Sequence, residues 1–151
     1  MKPLVVLLTV FVLSLVITFF TGGMPGYIWS GNIAMCVMLC FTGIAHFAFT
    51  KGMMRMLPGM LPFKKAIVLL TGVFEMIAGI ALLFTSLRAI AGWALVMFLL
   101  LVVPANILAA IKRISYQKEG MEGNGTRYLW FRIPLQLFFI AWIAFFSIRP
   151  C

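Results

Sequence analysis

Five apolar stretches follow one another along this chain, over about residues 3–21, 30–50, 66–86, 89–111 and 128–148. Each is close to the roughly 20 residues that carry a helix across the hydrocarbon core of a bilayer. A soluble domain of this size has too little interior to hide so much apolar surface. Composition agrees, with 64% of the 151 residues hydrophobic and only 10% charged. An ordinary soluble domain is about 45–50% apolar and about 25% charged. These features exclude a soluble globular protein, a disordered tail and a disulfide-rich secreted scaffold. They predict an all-α integral membrane helical bundle, with residues 1–151 as one domain and the lipid bilayer as its first partner.

The formal charge of +9 comes from twelve Lys and Arg against three Glu. In a soluble chain that balance would suggest nucleic acid, but no basic stripe with interleaved aromatics is present, and no nucleic-acid partner is expected. The basic residues stand instead at the edges of apolar runs, where the positive-inside rule reads orientation. With five spans and an inner N-terminus, Lys2, Lys51, Arg55, Lys64, Lys65, Lys112, Arg113, Lys118 and Arg127 fall inside. Outside stand Arg88, marking a short connection, and Arg149, while Arg132 lies within a span. The C-terminus is therefore expected outside, and the Asn124-Gly125-Thr126 sequon inside.

The first run follows Lys2, as in a signal peptide, but it is long and no A-x-A site follows, so a retained span is expected. Gly22 to Gly26 break the helix, and Tyr27 and Trp29 sit where an aromatic belt belongs. Residues 51–65 form a basic, Met-rich segment, interrupted by Pro58 and Pro62, that is too short to span and is expected at the interface. Lys112 to Arg127 read as a polar, glycine-bearing loop.

Polar groups at membrane depth are costly and normally face a bundle interior or a cavity. At a rise of about 1.5 Å per residue, His46 lies about 7 Å in from Lys51, and Asn106 about 9 Å in from Lys112. On the same ruler Arg132 and Gln136 lie about 7 and 13 Å in from Arg127, and Glu75 about 15 Å in from Lys65. Four different helices thus place these five residues in the inner half, and a shared polar cluster is geometrically open to them.

Glu75 is the only acid within a predicted span. Gly72 and Gly79 share its helical face and let a neighbouring backbone approach. Arg132 is its natural counter-ion, with Gln136 one turn further along. Such a pair either pins two helices together or serves in binding or proton handling. His46 is either a satisfied interior histidine or a proton carrier or ligand. As the only histidine, it excludes a multi-His metal site and bis-His haem within one chain. Pro104 frees the carbonyl of Leu100, so a kink is expected near Asn106. Cys36 and Cys40, one turn apart, read as small apolar residues rather than a redox or metal pair. The cluster Met53, Met54, Met56 and Met60 likewise reads as adaptable apolar filler. No metal site is expected. No phosphate loop, Ser-His-Asp set or carboxylate pair is present.

Five short pieces of sequence resemble the DoxX-like family of small bacterial membrane proteins. They are Gly43-Ile-Ala-His46-Phe47, Met56-Leu-Pro58-Gly-Met-Leu61-Pro62, Gly72-Val-Phe-Glu75, Val103-Pro104-Ala105-Asn106 and Arg132-Ile-Pro134-Leu-Gln136. They occur in the family's order over roughly residues 33–147. The resemblance implies a four-helix membrane bundle made by spans two to five, and a bacterial inner-membrane location. This chain departs from it by the added N-terminal span. The family takes its name from a membrane subunit of a thiosulfate:quinone oxidoreductase. A related member is linked to an oxidoreductase complex handling thiol stress, and distant animal relatives chaperone membrane receptors.

Two functions of different kinds follow as expectations. One is a membrane component of an oxidoreductase system, holding a quinone or other small lipophilic molecule among His46, Glu75, Asn106, Arg132 and Gln136. Gly43, Gly72, Gly79, Pro104 and Pro134 would shape the helices around it. No redox cofactor site is evident, so electrons would come from a membrane or cytoplasmic partner. The other is an accessory or chaperone-like subunit whose polar cluster is structural. A small-molecule permease is a third reading, which at five spans requires a homo-oligomer.

Overall fold

The computed structural model describes residues 2–21, 26–57, 59–111 and 125–149. Their elements are α1 (Lys2–Phe20), α2 (Tyr27–Ala48), α3 (Thr50–Met56), α4 (Lys64–Ala81), α5 (Thr85–Ile111) and α6 (Gly125–Ile143), which continues into a π-helical turn at Ala144–Ile148. No strand occurs among the described residues. The expected break at residues 22–25 and most of the expected loop at 112–127 fall outside them.

Helices suit this sequence because a backbone in lipid must satisfy its own hydrogen bonds. Four of them are long and apolar enough to cross a membrane: Lys2–Phe20, Tyr27–Ala48, Thr85–Ile107 and Trp130–Ile148. The expectation of five such helices is not met by length and composition alone. The exception is α4, whose eighteen residues include Lys64, Lys65 and Glu75. Its faces are nevertheless reversed relative to a water-soluble helix. Leu70, Val73, Phe74, Ile77 and Ile80 are exposed, while Gly72, Glu75, Ala78 and Gly79 are buried.

The short α3 occupies the start of the Met-rich segment and packs on α4 and α5. Phe63 takes a left-handed backbone (φ 53°) just before α4 begins. The connection between α4 and α5 is tighter than the apolar runs suggest. Leu83 N–H bonds the Ile80 carbonyl at 3.0 Å and Phe84 N–H the Ala81 carbonyl at 3.2 Å, and α5 starts at Thr85. Arg88, expected in the connection, therefore lies inside the first turn of α5 and is buried.

The most extensive packing is α2 against α4, followed by α1 against α2 and α5 against α6. Further contacts join α4 to α5 and α2 to the π turn, which close α2, α4, α5 and α6 into a ring. In the core, Ala34, Met35, Met38 and Leu39 of α2 meet Ala78, Leu82, Ala91, Leu95, Phe139 and Ile143. Among the longer helices α1 is the outlier. It lies against α2, buries only Leu7 fully, and leaves most of its apolar surface exposed.

Two glycines set the spacing of α2 and α4. A Cβ on Gly72 would lie 2.7 Å from the His46 Cβ and 3.0 Å from the Gly43 carbonyl oxygen. One on Gly43 would lie 2.5 Å from the Met76 Cγ and 2.9 Å from the Gly72 carbonyl oxygen. Gly79 continues the same seam against Leu39 and Cys36. This is the small-residue contact that lets membrane helices approach closely.

Candidate functional site

His46 is carried on the α2 face that crosses α4, directly over Gly72. Its Nδ1 is 3.0 Å from the Val68 carbonyl oxygen and 3.2 Å from the Thr71 hydroxyl. The Thr71 hydroxyl already donates to the same carbonyl at 2.9 Å. Both neighbours of Nδ1 thus present acceptors, which assigns the ring proton to Nδ1. Nε2 is turned the other way, 3.7 Å from Glu75 Oε1. A single proton can then reside on either member of the His46–Glu75 pair. Whichever holds it, Glu75 Oε2 remains, and this buried oxygen has no hydrogen-bond partner. Thr42, whose hydroxyl also bonds the Leu39 carbonyl at 3.0 Å, lies within reach of the Glu75 carboxyl group.

The second half of the cluster lies between α5 and α6. Arg132 Nη1 donates to Asn106 Oδ1 at 2.5 Å, and Asn106 Nδ2 donates to Gln136 Oε1 at 3.4 Å. Gln136 Nε2 in turn donates to the Leu99 carbonyl. Each side chain passes a hydrogen bond to the next, which fixes both amide orientations. Arg132 also lies close enough to act electrostatically on His46 and Glu75, linking the two halves.

All five polar residues singled out in the sequence therefore belong to one neighbourhood, with two adjustments. The ion pair described for Glu75 is with His46, and Arg132 reaches the carboxylate through its field while bonding Asn106. The carbonyl taken up by a side chain is that of Leu99, one residue before the Leu100 carbonyl that Pro104 deprives of its donor. The α5 helix runs on through Pro104, and α6 through the exposed Pro134. Cys36 and Cys40 are free thiols, Cys36 buried. Among the described residues no three His, Cys, Asp or Glu side chains gather in a way that could hold a metal ion.

A second polar cluster, absent from the sequence reading, occupies the end of the bundle where α2 begins. Asn32 Nδ2 donates to the carbonyls of Ile28 (2.8 Å) and Phe146 (2.9 Å), and Asn32 Oδ1 accepts from the Ser147 hydroxyl at 2.7 Å. Trp142 Nε1 donates to the Gly31 carbonyl at 3.1 Å, and Ser14 donates to Ser30 at 3.1 Å. The Phe146 carbonyl is open to Asn32 because the residue four places on, Pro150, has no N–H to donate. The signal for Asn32 was the one used for Asn106, an amide within an apolar run, although Asn32 is only the third residue of its run.

The comparison with protein families is decided by residues 35–147, which match a domain of unknown function, DUF8561. The chain belongs to the DUF8561 family. The DUF8561 region starts inside α2 and ends in the π turn, so it contains all five residues of the His46–Gln136 cluster and leaves α1 outside. No curated protein and no solved structure matches the chain.

Proposed function

We propose that this DUF8561 protein is a DoxX-like multi-pass membrane component of an oxidoreductase system, which holds a quinone or other small lipophilic molecule at the His46–Glu75–Arg132 cluster. The observation that carries the reading is Glu75 Oε2. It is a buried acceptor with no partner, beside an acid–base pair and a guanidinium. A buried polar atom left unpaired costs roughly 1–3 kcal/mol, and a ligand hydroxyl, as in a quinol, relieves that cost. The guanidinium and amide groups of Arg132, Asn106 and Gln136 are the donors that carbonyl oxygens call for. Electrons come from a membrane or cytoplasmic partner.

In this reading α4 also spans, giving five helices, because its exposed face is apolar and its buried face carries the acid. The excess of lysine and arginine at the α3 end then puts that end and the N-terminus on the cytoplasmic side of a bacterial inner membrane. The test is extraction and mass spectrometry of lipophilic molecules from protein purified in mild detergent. Retention of about one quinone per chain, lost on Glu75→Gln, is the expected result. A folded sample with no such molecule, and a variant no different from it, would end the proposal.

One observation favours a second reading, an accessory or chaperone-like subunit with a structural cluster. The run Arg132–Asn106–Gln136–Leu99 carbonyl is already hydrogen-bonded at each step. If Glu75 is likewise structural, Glu75→Gln lowers the unfolding temperature in detergent and leaves whatever the protein retains unchanged. In the ligand-binding reading, the variant stays folded and retention is lost.

A further inference from the structure

Arg88 is a buried cation that lacks a counter-ion among the described residues. Only 5% of the residue is exposed, and its Nη2 has no hydrogen-bond partner. Nε donates to the Leu82 carbonyl at 3.1 Å, so the guanidinium folds back along the first turn of α5 toward the α4–α5 connection. The Trp29 ring covers it, with the guanidinium carbon 5.2 Å from the ring centroid. The chain has three acids, Glu75, Glu119 and Glu122. Glu75 sits in the middle of α4, and the other two follow the far end of α5 in sequence.

The position makes the isolated charge more costly. The N-terminus of a helix carries partial positive charge, so a cation in its first turn is repelled rather than stabilised. The first amides of a helix also have no intrahelical acceptor. Here Leu87 N–H turns back to the Phe84 carbonyl at 3.0 Å, while Thr85 and Ser86 start the helix with both side chains exposed. Two amides, two hydroxyls and one buried guanidinium all call for the same partner, an anion with several oxygens.

We propose that the first turn of α5, with Arg88 behind it, is a binding site for a phosphate group, presented by a phospholipid headgroup or as free phosphate. The oxygens sit on the Thr85 and Ser86 amides and hydroxyls, and the guanidinium turns from beneath Trp29 to place Nη2 on one of them. Tyr27 and Trp29, both substantially exposed at the start of α2, belong at the level of lipid headgroups, which brings that chemistry within reach.

The test is thermal unfolding of delipidated protein in an uncharged detergent. Phosphatidylglycerol is compared with diacylglycerol of the same chains, and inorganic phosphate with chloride at equal ionic strength. A site occupied at saturation raises Tm by about 5 °C or more. The expected result is such a rise, saturable, with phosphatidylglycerol and not with diacylglycerol. An equal rise with inorganic phosphate alone assigns the site to the free anion. Arg88→Gln abolishes the response, which separates this site from the lysines at the other end of the bundle. Thr85→Pro removes one amide at a position where proline suits a helix, and weakens the response without unfolding the protein. Should Arg88→Gln fail to fold, Thr85→Pro carries the test. Equal effects of the two lipids with no effect of phosphate, or an unchanged response in the folded variants, would overturn the proposal.

Discussion

At the end of the bundle where α2 begins, Asn32 uses its amide nitrogen on two carbonyls and its oxygen on the Ser147 hydroxyl. At the other end, Glu75 shares one oxygen with His46 and leaves the second without a partner. Both residues are buried in apolar surroundings and both face the interior. The first is neutral and saturated, so its chemistry is exhausted by holding helices together. The second can exchange a proton with its neighbour and still accept a hydrogen bond. In lipid, where polar groups are otherwise avoided, this contrast separates a polar group that organises the fold from one available to a ligand.

The largest effect that bears on the contrast is expected at the glycine seam beneath His46. Gly72→Ala places a methyl group 2.7 Å from the His46 Cβ and should cost about 1–3 kcal/mol by overpacking. Thermal unfolding in detergent measures it, with Gly59→Ala as a control where nothing lies within 4 Å. Asn32→Leu comes next. It removes the hydrogen bonds that Asn32 makes to the Ser147 hydroxyl and the Phe146 carbonyl and should cost about 1–2 kcal/mol, the range found for interhelical polar contacts in membranes. A loss below about 0.3 kcal/mol in the same assay would show that the saturated cluster is not what joins α2 to the π turn.

Glu75→Gln keeps the shape and removes the charge and one acceptor oxygen. Its stability change should stay under about 1 kcal/mol, the scale of a net hydrogen-bond exchange, while ligand retention is lost. A cost as large as that of Asn32→Leu, with retention unchanged, would erase the difference between the two ends. The smallest effect belongs to Ser14→Ala. It removes one hydrogen bond from a helix that is mostly exposed, and a change of at most about 0.5 kcal/mol is expected. A larger change would make α1 part of the bundle's support rather than an addition to it.

The inner cluster was legible in the sequence because the rule behind it is strict. A carboxylate, a histidine, a guanidinium and two amides inside apolar runs are driven inward, and four runs set at similar depth left a shared cluster open to them. Which partner each chose was not legible, since that depends on helix rotation. His46 rather than Arg132 faces Glu75 most closely because Gly72 lets α2 settle onto α4 at that turn. Arg88 was misread for a related reason. A basic residue near the end of an apolar run can flank a helix or start one, and three residues of turn decide which. Asn32 obeyed the same rule as Asn106, yet its partners lie 114 and 115 residues away in the π turn. No local pattern announces that turn.

The π turn also alters how the end of α6 is counted. A spiral of i to i+5 bonds, such as that from Arg149 N–H to the Ala144 carbonyl at 3.0 Å, holds one residue more than the α-helix it interrupts. Relative to an unbroken α-helix of the same residues, the surplus residue rotates everything after it by about a quarter turn, since each α-helical residue advances close to 100°. Deleting any one residue between Ala144 and Ile148 would let the helix close into regular α geometry with no gap in the chain. Arg149 would then keep nearly the azimuth it has, because the residue removed is the one the wider spiral absorbs.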